Sequence, residues 1–233
     1  MTQLTRIIDH INEQFTATVK SQLLNLKKFS EPALEWLMME HYQFSSRNTG
    51  FLSTAADTTK LLQEQGVYEE LQRNLDEEKN HAALYKRSLA EIGTDIDKRV
   101  EFLPTTKFFD TIAQLISTCP SSTLGAMYAT ETAAIFEHEV FLNISREVVN
   151  RRAKQWEKSR LKAFHDMHLN GVEQGHKDGL GQFVNCATED NSSNTVSKKQ
   201  VIRKIKVTHG ANQAIEAMVE WWNALLTQAE RML

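Results

Sequence analysis

The chain has 233 residues, 41% hydrophobic and 24% charged, with a formal net charge of −3. That length can bury a substantial core, and the small net charge without a basic stripe gives nucleic-acid binding no electrostatic support. Nine Gly and three Pro are few for sheets joined by tight turns, so helices are expected from the start.

The stretch MTQLTRIIDHINEQF carries charges throughout and has no apolar core of signal-peptide length. No segment approaches the roughly 20 apolar residues that span a bilayer. Cys119 and Cys186 are isolated and form no metal or redox pair. A reduced, cytoplasmic setting without a membrane partner is expected, and the sequons at Asn143 and Asn191 are then chance matches.

Residues 5–27 repeat Ile7, Ile8, Ile11, Phe15, Val19, Leu23 and Leu24 on one broad helical face. Ser30 is a cap residue with Pro32 in the first turn, predicting a second helix through Trp36, Leu37, Phe44, Phe51 and Leu52 to about Leu62. A third covers roughly 67–91 and stops at Gly93. The segment 94–106, with Pro104, reads as a connection. A fourth helix spans about 106–117. A fifth, capped by Ser121 or Ser122, runs to about Arg146, and a sixth spans about 153–184. The stretch CATEDNSSNTVSKK makes a polar loop around 185–198 that has no composition for a packed core. A last helix spans 199–231, with Ile202, Ile205, Ala214, Ile215, Met218, Trp222 and Leu225 inward. Long helices with few breaks predict an all-α bundle of about seven helices, a single domain over 1–233.

Three of these helices carry carboxylates and imidazoles at ligand spacing. Glu78 and His81 are i and i+3, so both can point to one side of a helix. In di-iron bundles a Glu-x-x-His pair serves one site in this way, though the same pattern is common on solvated faces. Glu131 sits in the apolar run LGAMYATETAAIF, where an unpaired carboxylate would be costly to bury. Glu173 and His176 repeat the i, i+3 spacing, with His165 and His168 upstream. Carboxylate and imidazole without thiolate suits iron or manganese, and zinc also fits.

At these residues the chain resembles the haem-oxygenase-like di-iron oxidases, most nearly the family of the chlamydial protein associating with death domains. The matching segments are Glu78 to His81 followed by AALYKRSLAEIG, then AMYATE ending at Glu131, then His168 to His176. The resemblance runs roughly from residue 10 to 230. It implies a haem-oxygenase-like helical bundle holding two iron ions through Glu78, His81, Glu131, His168, Glu173 and His176. It also implies an oxidase acting on a small organic substrate with dioxygen, and it is compatible with a homodimer. Other relatives of this fold point to a metal-free, thiaminase-like or cofactor-synthesis protein, or to a non-catalytic binding protein. Members of the family sometimes supply a further carboxylate where Glu40 stands; Glu40 or His41 lining a pocket, or facing water, are the competing readings.

Two departures from the family pattern bear on the site. Phe141 stands where the chlamydial relative has a functional Lys, so that relative's self-sacrificing chemistry is not carried over. The late motif has one residue too many between His168 and Glu173, which a regular helix would set about 140° apart. A π-bulge would absorb the extra residue and bring the two together. The alternative is His165, about 20° from His176 around a regular helix but three turns away along it.

Overall fold

Apolar stripes at helical spacing must be covered, and here they are covered by one central helix whose first three turns are buried on every side. The structure, a computed structural model, describes residues 3–189 and 199–232. The helices are α1 (Leu4–Gln22), α2 (Glu31–Thr59), α3 (Gly66–Glu78), α4 (His81–Ile92), α5 (Leu103–Ile116), α6 (Pro120–Arg151), α7 (Arg160–Met167), α8 (Glu173–Val184) and α9 (Lys204–Arg231). α3 and α4 follow one another across two residues that keep right-handed torsions, and a π-helical segment, His168–Val172, joins α7 to α8. Counted as continuous rods they make seven. No strand occurs among the described residues, only the isolated bridges Leu62–Gln200 and Thr188–Arg203.

α6 is the axis of the bundle and packs against α1, α2, α5, α7, α8 and α9. Every residue from Pro120 to Glu131 is buried. The small residues of this helix let α9 approach at backbone distance. A Cβ on Gly125 would stand 2.0 Å from the Val207 carbonyl oxygen, and one on Gly210 would stand 2.0 Å from that of Ser122.

Several boundaries differ from the sequence reading. α1 ends at Gln22, and a 3₁₀ turn, Leu26–Lys28, replaces its last expected turn. Ser30 does cap α2, accepting from Ala33 N at 3.1 Å, but the helix ends at Thr59. α5 begins at Leu103 because Pro104 is tolerated in a first turn, where its missing N–H costs nothing. α6 is capped at Cys119 rather than Ser121 or Ser122; Ser121 Oγ instead accepts from Arg203 N at 3.1 Å. The sixth predicted helix starts only at Arg160, after Ala153 at φ +52° and a 3₁₀ turn, Trp156–Lys158. α9 begins at Lys204, and Ile205 in its first turn is exposed, with Val207 taking the inward place. Ile7 and Leu24 are likewise exposed, so the apolar face of α1 is narrower than expected. Of the polar loop, residues 190–198, including the Asn191 sequon, lie outside the described residues.

Gly210→Ala is expected to destabilise the protein by about 1–3 kcal/mol or more, because the helix pair has no room for the methyl group. Gly50→Ala in α2, where nothing lies within 4 Å, should instead stabilise by roughly 0.5–1 kcal/mol. Urea denaturation of the two variants checks the contrast, and similar midpoints would contradict the close α6–α9 approach.

Candidate metal centre

The six predicted residues meet in the core. Glu78 ends α3 and His81 opens α4, Glu131 comes from α6, His168 opens the π segment, and Glu173 and His176 lie on α8. All six are buried. His81 Nδ1 is 2.8 Å from Glu78 Oε1, His168 Nδ1 is 2.5 Å from Glu173 Oε1, and His176 Nδ1 is 3.3 Å from Glu131 Oε2. Donor atoms converge within 4.8 Å in three overlapping trios: Glu78–His81–His168, Glu78–Glu173–His176, and His138–His168–Glu173.

Two backbone irregularities produce this convergence. The π segment contains Asn170 and Gly171 in non-helical torsions, Gly171 at φ +118°, a region that only glycine enters without strain. One extra residue is thereby looped out, and His168 and Glu173 face each other across five positions. The helical ladder also breaks at Lys79–Asn80, so the Glu78–His81 pair straddles a junction rather than one regular helix.

Electrostatics couple the cluster. Burial lowers His168 to about 4. Burial pushes Glu173 well above the usual carboxylate range, and the neighbouring Glu131 and Glu78 push the same way. Burial would also raise Glu78, but the His81 hydrogen bond and nearby imidazoles carry it below its ordinary value. For His176, burial pulls downward, yet the Glu131 hydrogen bond and the Glu131 and Glu173 charges lift it to about 10. Several buried carboxylates thus share too few positive partners. His168 Nε2 is buried with no hydrogen-bond partner, which fits a donor set that takes a cation.

Residues that the motifs did not point to complete the site. Glu77 Oε2 accepts from His176 Nε2 at 3.0 Å and is itself held by Arg73 Nη1 at 2.6 Å, the arrangement by which ligating imidazoles are oriented. His138 lies two turns beyond Glu131 on the same face, a spacing that could have marked it. A small cavity of about 30 Å³ borders the cluster, lined also by His41, Phe44, Ser45, Asn48, Thr130 and Glu137. Glu137 accepts from Trp222 Nε1 at 3.1 Å, and burial followed by the Glu173 charge raises it to about 7.

The two additional candidates lie elsewhere. Glu40 is fully buried but turned away from the cluster. Arg99 grips both its oxygens, at 2.7 and 2.9 Å, and Thr105 Oγ1 donates to it at 2.6 Å. It neither joins a ligand trio nor faces water, because a guanidinium already neutralises it. His165 is buried against His138 and Ser145 and belongs to no trio.

The chain has the haem-oxygenase-like fold. It is similar to a CADD-like protein of unknown function from Nostoc punctiforme, with 22% identity over 96% of this chain and 99% of that one, at a TM-score of 0.76. A domain of unknown function with a heme oxygenase-like fold from Shewanella denitrificans matches at 12% identity over 98% and 94% of the two chains, TM-score 0.68. A TenA homolog from Pseudomonas syringae pv. tomato matches at 13% identity over 95% and 92%, TM-score 0.67. No family model and no curated protein matches the sequence. No helix among the described residues is long and apolar enough to cross a membrane.

Glu40→Ala should cost about 3 kcal/mol, since it strands Arg99 and Thr105 in the interior. Metal binding by the folded variant is expected to match the parent, and its loss would make Glu40 a ligand after all.

The pH dependence follows from the neutral imidazoles. Burial lowers His41 to about 3 from an ordinary 6.5, and His138 and His165 also fall well below it. Below pH 6.5 the unfolded chain therefore binds more protons than the folded one, and stability falls as the pH drops towards 3. His176 acts oppositely; its contribution is complete below 6.5 and disappears as the pH rises through about 10. The thermal midpoint of chelator-treated protein should decline below pH 6.5, and more shallowly in His41→Phe. A midpoint that stays level from pH 7 to 4.5 would contradict this.

Proposed function

We propose that this protein is a non-haem di-iron oxidase or oxygenase that uses dioxygen on a small organic substrate. The observation that carries the reading is the convergence of buried donors: Glu78, His81, His168, Glu173 and His176 fall in overlapping trios, and His168 Nε2 has no hydrogen-bond partner. Glu131 joins no trio and adjoins the set through His176, 3.3 Å away. Glu78 and His81 would hold one side of the centre, His168, Glu173 and His176 the other, with Glu131 between them. Nitrogen and oxygen donors without thiolate suit iron, and manganese or zinc would also be accepted. When bound, two ferrous ions would supply the electrons and open positions that dioxygen requires.

The remaining residues shape the reaction space. Glu77, itself held by Arg73, fixes the His176 ring. His41 stacks on Phe141 with ring centroids 3.9 Å apart and donates to, or accepts from, the Tyr85 hydroxyl at 3.2 Å. Of this stacked pair His41 lines the cavity, and Phe141 is buried behind it. At about 30 Å³ the cavity has room for dioxygen or a comparably small group.

The likeness to a TenA homolog favours a second reading, a metal-free relative that would need its own nucleophile or base. Neither thiol offers one at the cavity; Cys186 is exposed and Cys119 caps α6. Anaerobic ferrous loading separates the two readings. The parent is expected to bind two irons per chain and to consume oxygen on exposure to air. Glu131→Ala should keep the parental circular dichroism spectrum but lose at least one iron, whereas Glu147→Ala should lose none. A parent that stays metal-free and takes up no oxygen would refute the oxidase and leave the metal-free reading.

A further inference from the structure

The six-residue set leaves one imidazole at the same centre without a role. His138 is buried on α6, within about 20° of Glu131 around the helix axis. Its Nε2 stands 3.6 Å from Glu173 Oε1. That is too long for a good hydrogen bond, yet both atoms can reach one ion. The His138 ring lies parallel to the His168 ring, with centroids 3.8 Å apart and planes at 12°. Paired catalytic metals sit about 3.5–4 Å apart, so rings stacked at this distance can serve one ion each.

The far edge of His138 is built to match. Its Nδ1 lies 3.2 Å from His165 Nδ1, and His165 Nε2 lies 3.2 Å from Ser145 Oγ. Between the two facing ring nitrogens there is room for one hydrogen. With that hydrogen on His138, His165 accepts it and donates its own Nε2–H to Ser145. His138 Nε2 is then a lone pair facing a carboxylate oxygen, and two acceptors so placed are reconciled by a cation between them. With the hydrogen on His165 instead, His138 Nε2 is protonated and closed to metal. Ser145 serves either arrangement, because a hydroxyl both donates and accepts.

We propose that His138 is a seventh protein ligand of the metal centre, with His165 Nδ1 accepting its Nδ1–H in the ligating tautomer. The inference rests on the metal-bearing reading above. It makes His165 a positioning residue and explains why a histidine so near the centre joins no trio.

His138→Phe tests it, because phenylalanine keeps a flat ring against His168 but has no donor. His138→Gln is the companion if the first fails to fold, and both are compared at parental circular dichroism. Anaerobic titration with Co(II) is expected to give two equivalents for the parent. The variants should bind one, or bind the second at least about tenfold more weakly. The paramagnetically shifted proton spectrum of the cobalt protein should also lose one exchangeable imidazole N–H signal. His165→Leu should weaken the second equivalent by roughly 10- to 100-fold without lowering the stoichiometry at saturation. Two equivalents at parental affinity in a folded His138 variant, with all shifted signals retained, would overturn the inference while leaving the functional reading intact. A parent that binds no cobalt and no iron would defeat both.

Discussion

Three carboxylates, those of Glu78, Glu131 and Glu173, are buried in one helical core, and much of the structure answers that fact. An ion of this kind costs several kcal/mol to remove from water unless partners repay it. Among the described residues, the three are paired with His and with no Lys or Arg. The partners are imidazoles, which can be neutral ligands or cations as the charge balance demands. His176 takes the cationic role beside Glu131, while Glu173, crowded by its neighbours, is pushed towards its protonated form. Such a core presents donor atoms whose strained charge states a divalent ion would relieve.

Backbone irregularity is concentrated where the candidate ligands are. The π segment at His168–Val172 and the ladder break at Lys79–Asn80 both sit at residues of the candidate centre. The π segment brings Glu173 against His168, a pair that regular geometry would misplace, and the break at Lys79–Asn80 falls between Glu78 and His81. π-Bulges persist at functional sites for this reason: the local cost is accepted because the side chains they re-aim interact strongly.

The other buried glutamates show how differently one residue type can be accommodated. Glu40 meets Arg99 and Thr105, and Thr105 in turn accepts from Trp221 Nε1 at 2.9 Å, so its charge is fully matched and structural. Glu137 has an indole N–H and a distant His41, and it faces the cavity. The same scaffold occurs in proteins that differ widely in sequence, so chemistry has to be read from such local sets rather than from the fold.

Helical periodicity alone determined the all-α class and most of the rods, because an apolar stripe repeating at three and four residues has one efficient way to be buried. It also marked the candidate ligands: Glu131 stood out as a carboxylate in an apolar run, and the odd interval between His168 and Glu173 required a bulge if both were to face one site. Helix ends were less legible, since Cys119 holds the N-cap position of α6 without a side-chain hydrogen bond, and Ser121 accepts instead from Arg203 N. Only the tertiary structure decided which acids find a cation elsewhere. Arg99 lies 59 positions from Glu40 in the chain, and nothing local announces that pairing. Likewise His138 and His165 are 27 positions apart, and their hydrogen bond exists only because α6 and α7 pack together. Spacing along one helix reveals what shares a face; contact between faces is settled by packing, where close fit and charge neutralisation are decided together.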